Sequence, residues 1–437
     1  MKKVAFVLIS LLLILTSCQE KQKPQSNTPV TLKVLAWDKE QFYQQYGDLY
    51  QIEKNFVDLD VVSIREQIRA KELVTEAVDR LMKEQHPDVA LINMYAYEGL
   101  RENNKLTPLT SFISNSNLDL KQITPAVVNF LQDDTGELFG LAPTFLGQAV
   151  YFNKALFHRF GIPLPRDRMT WDELFALAQR FPKEIDKNTP VLGLYDRAFS
   201  NPMVMALRIG GGVGYSFYNG REFSINTRSW NDIFKGVIDC VKAGACGDYS
   251  AQLQVQDSKK EQQTLAATYP FLHGNIAMAI DDSSLYTRID QNKEQAQAID
   301  WDVVSFPVHA DQPDRGNGVQ LNEIFVIPSE SNKKEAAWEL VQFANGEGYA
   351  KIFSRIHTSE LLSQEPSSDQ SERNLHAFYT LDYMLNTTMI QMRKLPQPVL
   401  EKFDELSLKY LAEVNDDRLT VAEMLNQLQA NMQSMLQ

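Results

Sequence analysis

The chain predicts an α/β fold of mostly parallel sheet, with enough residues for two packed units. Three observations carry this expectation. Short runs of β-forming residues alternate with amphipathic helical segments along most of the 437 residues. Apolar residues make up 44% and aromatics 10%, a globular composition that excludes a disordered chain. The body that follows an N-terminal export segment is about 420 residues, more than a single core of ~250–300 residues usually serves.

The elements follow in order. Lys2 and Lys3 precede an apolar run over 4–15, which ends at Leu15-Thr16-Ser17-Cys18. A charged start, a short apolar stretch and small residues before a break describe an export signal. The run is too short for a bilayer, which needs roughly 20 residues. Its end resembles a lipobox, the bacterial lipoprotein pattern. That resemblance implies a signal peptide over 1–17, a thioether-linked diacylglycerol (a palmitate-type anchor) on Cys18, and a mature chain starting there. The plainer alternative is an ordinary secretory signal with an incidental cysteine. Residues 18–29 are polar and read as a flexible tether.

Residues 31–37 (TLKVLAW) read as a first strand and 58–64 as a second. Between them Phe42, Tyr46, Leu49 and Ile52 recur at helical spacing. A long amphipathic helix is expected over 65–85, ending at His86-Pro87, with a buried strand over 88–92. Thr170 to Glu173, Asn332 to Glu335 and Thr420 to Glu423 read as capping boxes that open helices. Short strands are expected over 276–280 and 301–306, and a polar surface loop over 363–374.

The net charge is −13, and no basic stripe is visible, which speaks against a nucleic-acid partner. Cys240 and Cys246 read either as a local disulfide or as two free thiols. No histidine lies within ten residues of either, so a zinc site is not expected.

Several segments then stand in a familiar order. They are Asp88-Val89 with Leu106-Thr107-Pro108-Leu109, Leu141-Ala142-Pro143 with Tyr151-Phe152-Asn153-Lys154, and Gly161-Ile162-Pro163 with Thr170-Trp171-Asp172-Glu173-Leu174. His273-Gly274-Asn275-Ile276-Ala277-Met278, Trp301-Asp302-Val303 with Phe306-Pro307, and Ser331 through Trp338 complete the series. Together they resemble the family 1 extracellular solute-binding proteins of ABC importers, the maltose- and oligosaccharide-binding group. The resemblance implies a two-lobed periplasmic-binding-protein-like fold with hinge crossings and an interlobe cleft. Lobe 1 would be 30–142 with 322–334 returning to it, and lobe 2 would be 143–321 with the C-terminal helices over 335–437. The implied role is a monomeric receptor, lipid-anchored on the extracytoplasmic face of the cell membrane. It would pass a small solute, a sugar or oligosaccharide, to the transmembrane subunits of an ABC permease. The alternatives are a sensor or glycan-binding lipoprotein uncoupled from transport, and an extracellular glycoside hydrolase.

A sugar offers hydroxyls for hydrogen bonds and apolar ring faces for aromatics. The candidate contacts are therefore Trp37 and Asp38 after the first strand, and Asn93 and Tyr95 after the strand ending at Ile92. Thr144, Phe145 and Gln148 lie at the crossing, Asp281, Asp282 and Tyr286 follow the strand over 276–280, and Phe403 lies in the C-terminal region. Trp171, Trp301 and Trp338 fit core patterns. Trp37, which ends a strand, stands between a ligand contact and a core residue, and Tyr95 and Tyr97 also fit covering the edge of a lobe. Gly210-Gly211-Gly212-Val213-Gly214 lacks the Gly-Lys-Ser/Thr of a phosphate loop and reads as close backbone packing. One departure stands out. Many relatives carry Gly-Ser-Trp or Gly-Pro-Trp after the strand equivalent to 276–280, whereas this chain has Asp281-Asp282-Ser283-Ser284-Leu285-Tyr286. Tyr286 is then the only substitute for that stacking platform.

Catalysis finds no support. G-x-S-x-G and H-E-x-x-H are absent, and S-x-x-K at Ser331 lacks its companion motifs. Asp133-Asp134 and Asp281-Asp282 are adjacent pairs, and neighbours on a strand point to opposite faces. The six histidines have no metal-ligand spacing, so neither a metal nor a cofactor is expected.

Overall fold

Alternation and continuity of apolar residues sort the strands into edge and centre. In Val57–Ser63 every second residue is buried and the two aspartates point outward, as on an edge strand, while all of Val89–Ile92 is buried, as in a sheet centre. The computed structural model describes residues 29–186, 189–199, 201–247, 269–291, 299–354, 360–364 and 373–436. The export segment, the lipobox and the tether up to residue 28 lie outside the described residues.

The strands that build the two main sheets are, in chain order, β1 (Val30–Ala36), β2 (Val57–Ser63), β3 (Val89–Ile92), β4 (Gly140–Leu141), β5 (Thr144–Asn153) and β6 (Leu192–Asp196). They continue as β7 (Cys246–Gly247), β8 (Ile276–Asp282), β9 (Trp301–Ser305), β10 (Val319–Gln320), β11 (Ile324–Val326) and β12 (Leu361–Leu362). The first sheet runs β2-β1-β3-β11-β4. Its β1, β2 and β3 are parallel, and β11 lies antiparallel between β3 and β4. The second runs β9-β5-β8-β6-β7, with β8, β6 and β7 parallel and β5 antiparallel to its neighbours. Each sheet has its own core. On β5, Val150 and Phe152 face one apolar cluster while Ala149 and Tyr151 face another, so the second sheet is covered on both sides.

The chain passes between the two units three times among the described residues. β4 leads through Ala142 and Pro143 into β5, β10 leads back to β11, and a third passage runs from the helix Glu347–Phe353 through β12. The first half of β5 receives the other two passages. Thr144 and Phe145 pair with β12, and Leu146 and Gly147 pair with β10.

Several expectations meet the structure directly. The capping boxes at Thr170 and Thr420 are formed, with each threonine accepting from the glutamate N–H three residues on. Trp171, Trp301 and Trp338 are core, and Cys240 and Cys246 are joined as a disulfide. The glycine run closes the helix Pro202–Gly212. A Cβ on Gly210 would stand 2.1 Å from the Trp230 ring, and one on Gly212 would meet Asn317 at 2.4 Å.

Other expectations need correction. The helix expected over 65–85 is two helices, Ile64–Gln67 and Val74–Gln85. Ile68 turns extended and Lys71 takes a positive φ of 64°. Arg80 spans the break, donating to the Gln67 carbonyl at 2.9 Å and to Glu72 at 2.8 Å, so the interrupted backbone keeps a partner. Between β1 and β2 the helix contains a π turn, Tyr43–Gly47. Its extra residue shifts the phase, so Tyr50 is buried where Leu49 was expected and Ile52 stands 80% exposed. No capping box forms at Asn332. Ser331 and Lys333 instead bind Asp88, at 2.9 and 3.0 Å, just before β3. The helices Lys334–Ala344 and Glu347–Phe353 pack into the first core, not the second. Of the polar stretch 363–374, residues 365–372 lie outside the described residues, and Ser363 is buried with its backbone bonded to Thr124 and Pro143.

Candidate functional site: the rims of the cleft

In an open α/β sheet, ligands bind beyond the carboxyl ends of parallel strands. β1, β2 and β3 are parallel, so their ends deliver Trp37, Ser63 and Asn93 to one rim of the first sheet. The Trp37 carbonyl accepts from Ser63 Oγ at 3.2 Å and from the Arg65 N–H at 3.0 Å, which fixes the backbone while the side chain stays 43% exposed. Asp38 caps the helix Lys39–Phe42, accepting from the Gln41 N–H at 2.9 Å, and forms an ion pair with Arg65. Asn93 caps the helix Met94–Glu102 through the N–H groups of Tyr95 and Ala96, at 3.1 and 3.0 Å. Tyr95 is half-buried against the first core.

β6 and β8 are also parallel and end in aspartates, Asp196 and Asp282. Asp281 is 1% exposed. Its Oδ1 receives Arg197 Nη1 at 3.0 Å and the Asp282 N–H at 2.9 Å, whereas Oδ2 has no hydrogen-bond partner among the described residues. Burial outweighs the arginine and pushes the Asp281 carboxyl up to about 7. Arg197 also lies 3.8 Å from Asp282 and 4.6 Å over the Tyr269 ring. Asp282 accepts from the Ser284 N–H at 2.9 Å, opening the helix Ser283–Gln291, and pairs in register with Gln148. Beside them the buried Asp196 forms an ion pair with Arg208 and accepts from the Ala198 N–H at 2.9 Å.

Three candidates sit elsewhere. Phe145 is fully buried, edge-on to Tyr379 at 5.4 Å, and belongs to the first core. Phe403, 1% exposed on the helix Gln397–Asn415, packs against Phe217 at 5.8 Å and Phe223 at 6.4 Å inside the second core. Both were assigned to the cleft for their ring chemistry, yet both rings have their faces filled by other aromatics. Tyr286 is half-buried and stands edge-on to Trp301 at 5.9 Å, packed on the apolar cluster at the other face of the second sheet.

Thr144, also buried, belongs to the hinge. Its hydroxyl donates to Glu360 at 2.6 Å, and the Asn322 amide approaches the other Glu360 oxygen at 3.4 Å. Next in the chain, Glu323 accepts from the Tyr46 hydroxyl at 2.6 Å.

The rims therefore combine an exposed indole with carboxylates that accept and guanidinium groups that donate. Such a set suits a neutral solute rich in hydroxyls. Among the described residues no group of three or more His, Cys, Asp and Glu is arranged to hold a metal. Arg65, Asp196, Arg197 and Arg208 were missed from the sequence. The Asp196-Arg197 step, directly after Leu192-Gly193-Leu194-Tyr195, is the same signal that drew attention to Asp281.

Comparison with known proteins comes to the same place. A family model described as bacterial extracellular solute-binding protein matches residues 80–351. Among solved structures, a sugar transporter from Rhizobium etli in an open conformation matches with a TM-score of 0.65 and 17% identity, covering 92% of this chain and 99% of its own. The sugar-binding protein MalE of Xanthomonas citri matches at 0.65 and 14%, covering 93% and 97%. An ABC substrate-binding protein of Listeria monocytogenes, solved with cycloalternan, matches at 0.58 and 16%, covering 93% and 99%. These likenesses establish the two-lobed fold with its interlobe cleft.

Proposed function

This chain belongs to the bacterial extracellular solute-binding proteins, and from that premise we propose that it captures a sugar or oligosaccharide and delivers it to an ABC importer. The family assigns solute binding outside the cytoplasm, not turnover. The choice of sugar rests on the cleft. One observation carries it: an exposed Trp37 on the first rim and the acid–arginine pairs of the second. The indole can cover the apolar face of a pyranose, while Arg197, Asp281 and Asp282 supply donors and acceptors for hydroxyls. Structural neighbours described as sugar-binding proteins support the same ligand class. Closure of the lobes would follow from contacts that a ligand makes to both rims at once.

The lipobox at Cys18 supports anchoring of a monomeric receptor at the outer face of the membrane, with residues 18–29 as tether. Among the described residues no helix is long and apolar enough to cross a membrane.

The test is a thermal-shift screen of the chain freed of its export segment, against mono- and oligosaccharides, with amino acids and peptides as controls. A ligand at a hundred times its dissociation constant stabilises by about 2.7 kcal/mol. A saturable shift with one sugar class is the expected result. Silence across sugars with a shift from another solute class would overturn the sugar assignment. For the anchor, Cys18→Ser should move the protein from the membrane fraction to the soluble one.

A further inference from the structure

The three passages between the lobes converge on a pair of carboxylates. Thr144, at the start of β5, donates to Glu360 at 2.6 Å. Glu360 stands directly before β12 and pairs through that strand with β5. Asn322 and Glu323 link β10 to β11, and Asn322 reaches Glu360 at 3.4 Å. Each passage thus places a side chain in one polar cluster. The first lobe closes over it with two buried, stacked phenols, Tyr46 and Tyr349, whose ring centroids are 5.1 Å apart. Gln41, from the helix Lys39–Phe42, stands 3.5 Å from Glu323.

We propose that the Glu323–Glu360 pair makes the hinge proton-sensitive, so that proton occupancy of the pair governs how freely the lobes change their angle. The inference rests on the fold alone, whatever the ligand. Rotation of one lobe against the other has to be absorbed by backbone changes where β5, β10 and β12 cross, beside the two carboxylates. Two negative charges in a partly buried site repel far more than in water. With Glu323 protonated, the cluster holds the passages together through Thr144, Asn322 and Tyr46. With both groups ionised, repulsion loosens it.

The groups facing Glu323 leave it as the one that titrates near neutrality. Tyr46 and Tyr349 are raised above their ordinary values, by burial first and then by the charge of Glu323, and stay protonated, Tyr46 donating to Glu323. The Glu323 carboxyl is pushed up to about 7, by burial first and the Glu360 charge second.

The experiment is amide hydrogen exchange on the ligand-free protein from about pH 5 to about pH 9, corrected for the intrinsic pH dependence of exchange, comparing β5 and β10 with β1 as internal reference. In the wild type, protection of Thr144 to Gln148 and of β10 should fall about tenfold relative to β1 as pH rises through neutrality. Glu323→Gln, isosteric and unable to ionise, should abolish that fall. Glu360→Gln removes the opposing charge, so no repulsion develops when Glu323 ionises and the fall should be lost here as well. A wild type with no differential loss overturns the proposal, as does a Glu323→Gln protein that keeps the wild-type profile. Should Glu323→Gln fail to fold by circular dichroism, Glu360→Gln decides: a retained fall overturns, its loss supports.

Discussion

At the rim of the first sheet the polar side chains already have partners, whereas at the rim of the second a buried carboxylate keeps one oxygen without any among the described residues. Asp38 and Asn93 each cap a helix, and Asp38 also holds Arg65. What that rim leaves to a ligand is the indole of Trp37. On the second rim Asp281 Oδ2 is buried and, among the described residues, unmatched, and Arg197 lies between two carboxylates. An unmatched buried polar atom costs about 1–3 kcal/mol, which a ligand hydroxyl reaching it in the proposed complex would recover. Under the proposed reading, residues at equivalent places, the carboxyl ends of parallel strands, would divide the work: one rim offering surface, the other hydrogen bonds.

The largest expected effect breaks the assumption that any aromatic near a cleft serves it. Phe403→Ala should cost about 3–5 kcal/mol of stability, read from urea unfolding, because the ring is enclosed by Phe217 and Phe223. Affinity per folded molecule should be unchanged. Near-native stability with weakened binding would return Phe403 to the cleft and erase the distinction between core and rim.

Next in size is Asp281→Asn, which tests whether the second rim carries the polar contacts. Affinity for the sugar found by screening should fall about ten- to hundredfold, ~1.5–3 kcal/mol, measured by calorimetry. The same variant has a signature in pH. The folded-state value of Asp281 is raised from 3.8 to about 7, so between those values the native state holds more protons than the unfolded chain. Stability from this group is then fully present below about pH 4 and is lost as pH rises through about 7. The wild type should lose on the order of 1–3 kcal/mol more than Asp281→Asn across that window. Parallel profiles would place Asp281 in a solvated, ordinary setting and undo the contrast between the rims.

How much of this was legible in the sequence depended on whether a feature is local. β3 was readable because a run of four apolar residues before a helical pattern has few other uses, and the capping boxes at Thr170 and Thr420 were readable because three residues specify them. The two-lobed fold was legible through segments in a recognisable order. The hinge cluster was not, since Thr144, Glu323 and Glu360 come from three distant stretches and only the crossing strands bring them near. The π turn at Tyr43–Gly47 escaped because one inserted residue changes the buried face without changing the apparent period. Phe145 and Phe403 were misassigned for a related reason. A ring's chemistry is visible in the sequence, but what occupies its two faces is decided by tertiary partners.

Trp37 gives the smallest expected effect and the sharpest test of the first rim. Its backbone carbonyl is held by Ser63 and Arg65, so removing the side chain leaves the loop's hydrogen bonds intact. With 43% of the residue exposed, little core packing is lost. Trp37→Ala should therefore leave the thermal midpoint nearly unchanged while weakening sugar binding by about 1 kcal/mol, roughly fivefold. Trp37→Phe should recover part of that loss, because a smaller ring still covers part of a pyranose face. A lowered midpoint with unchanged affinity would make Trp37 an edge cover, and the first rim would then offer a ligand nothing that the second does not.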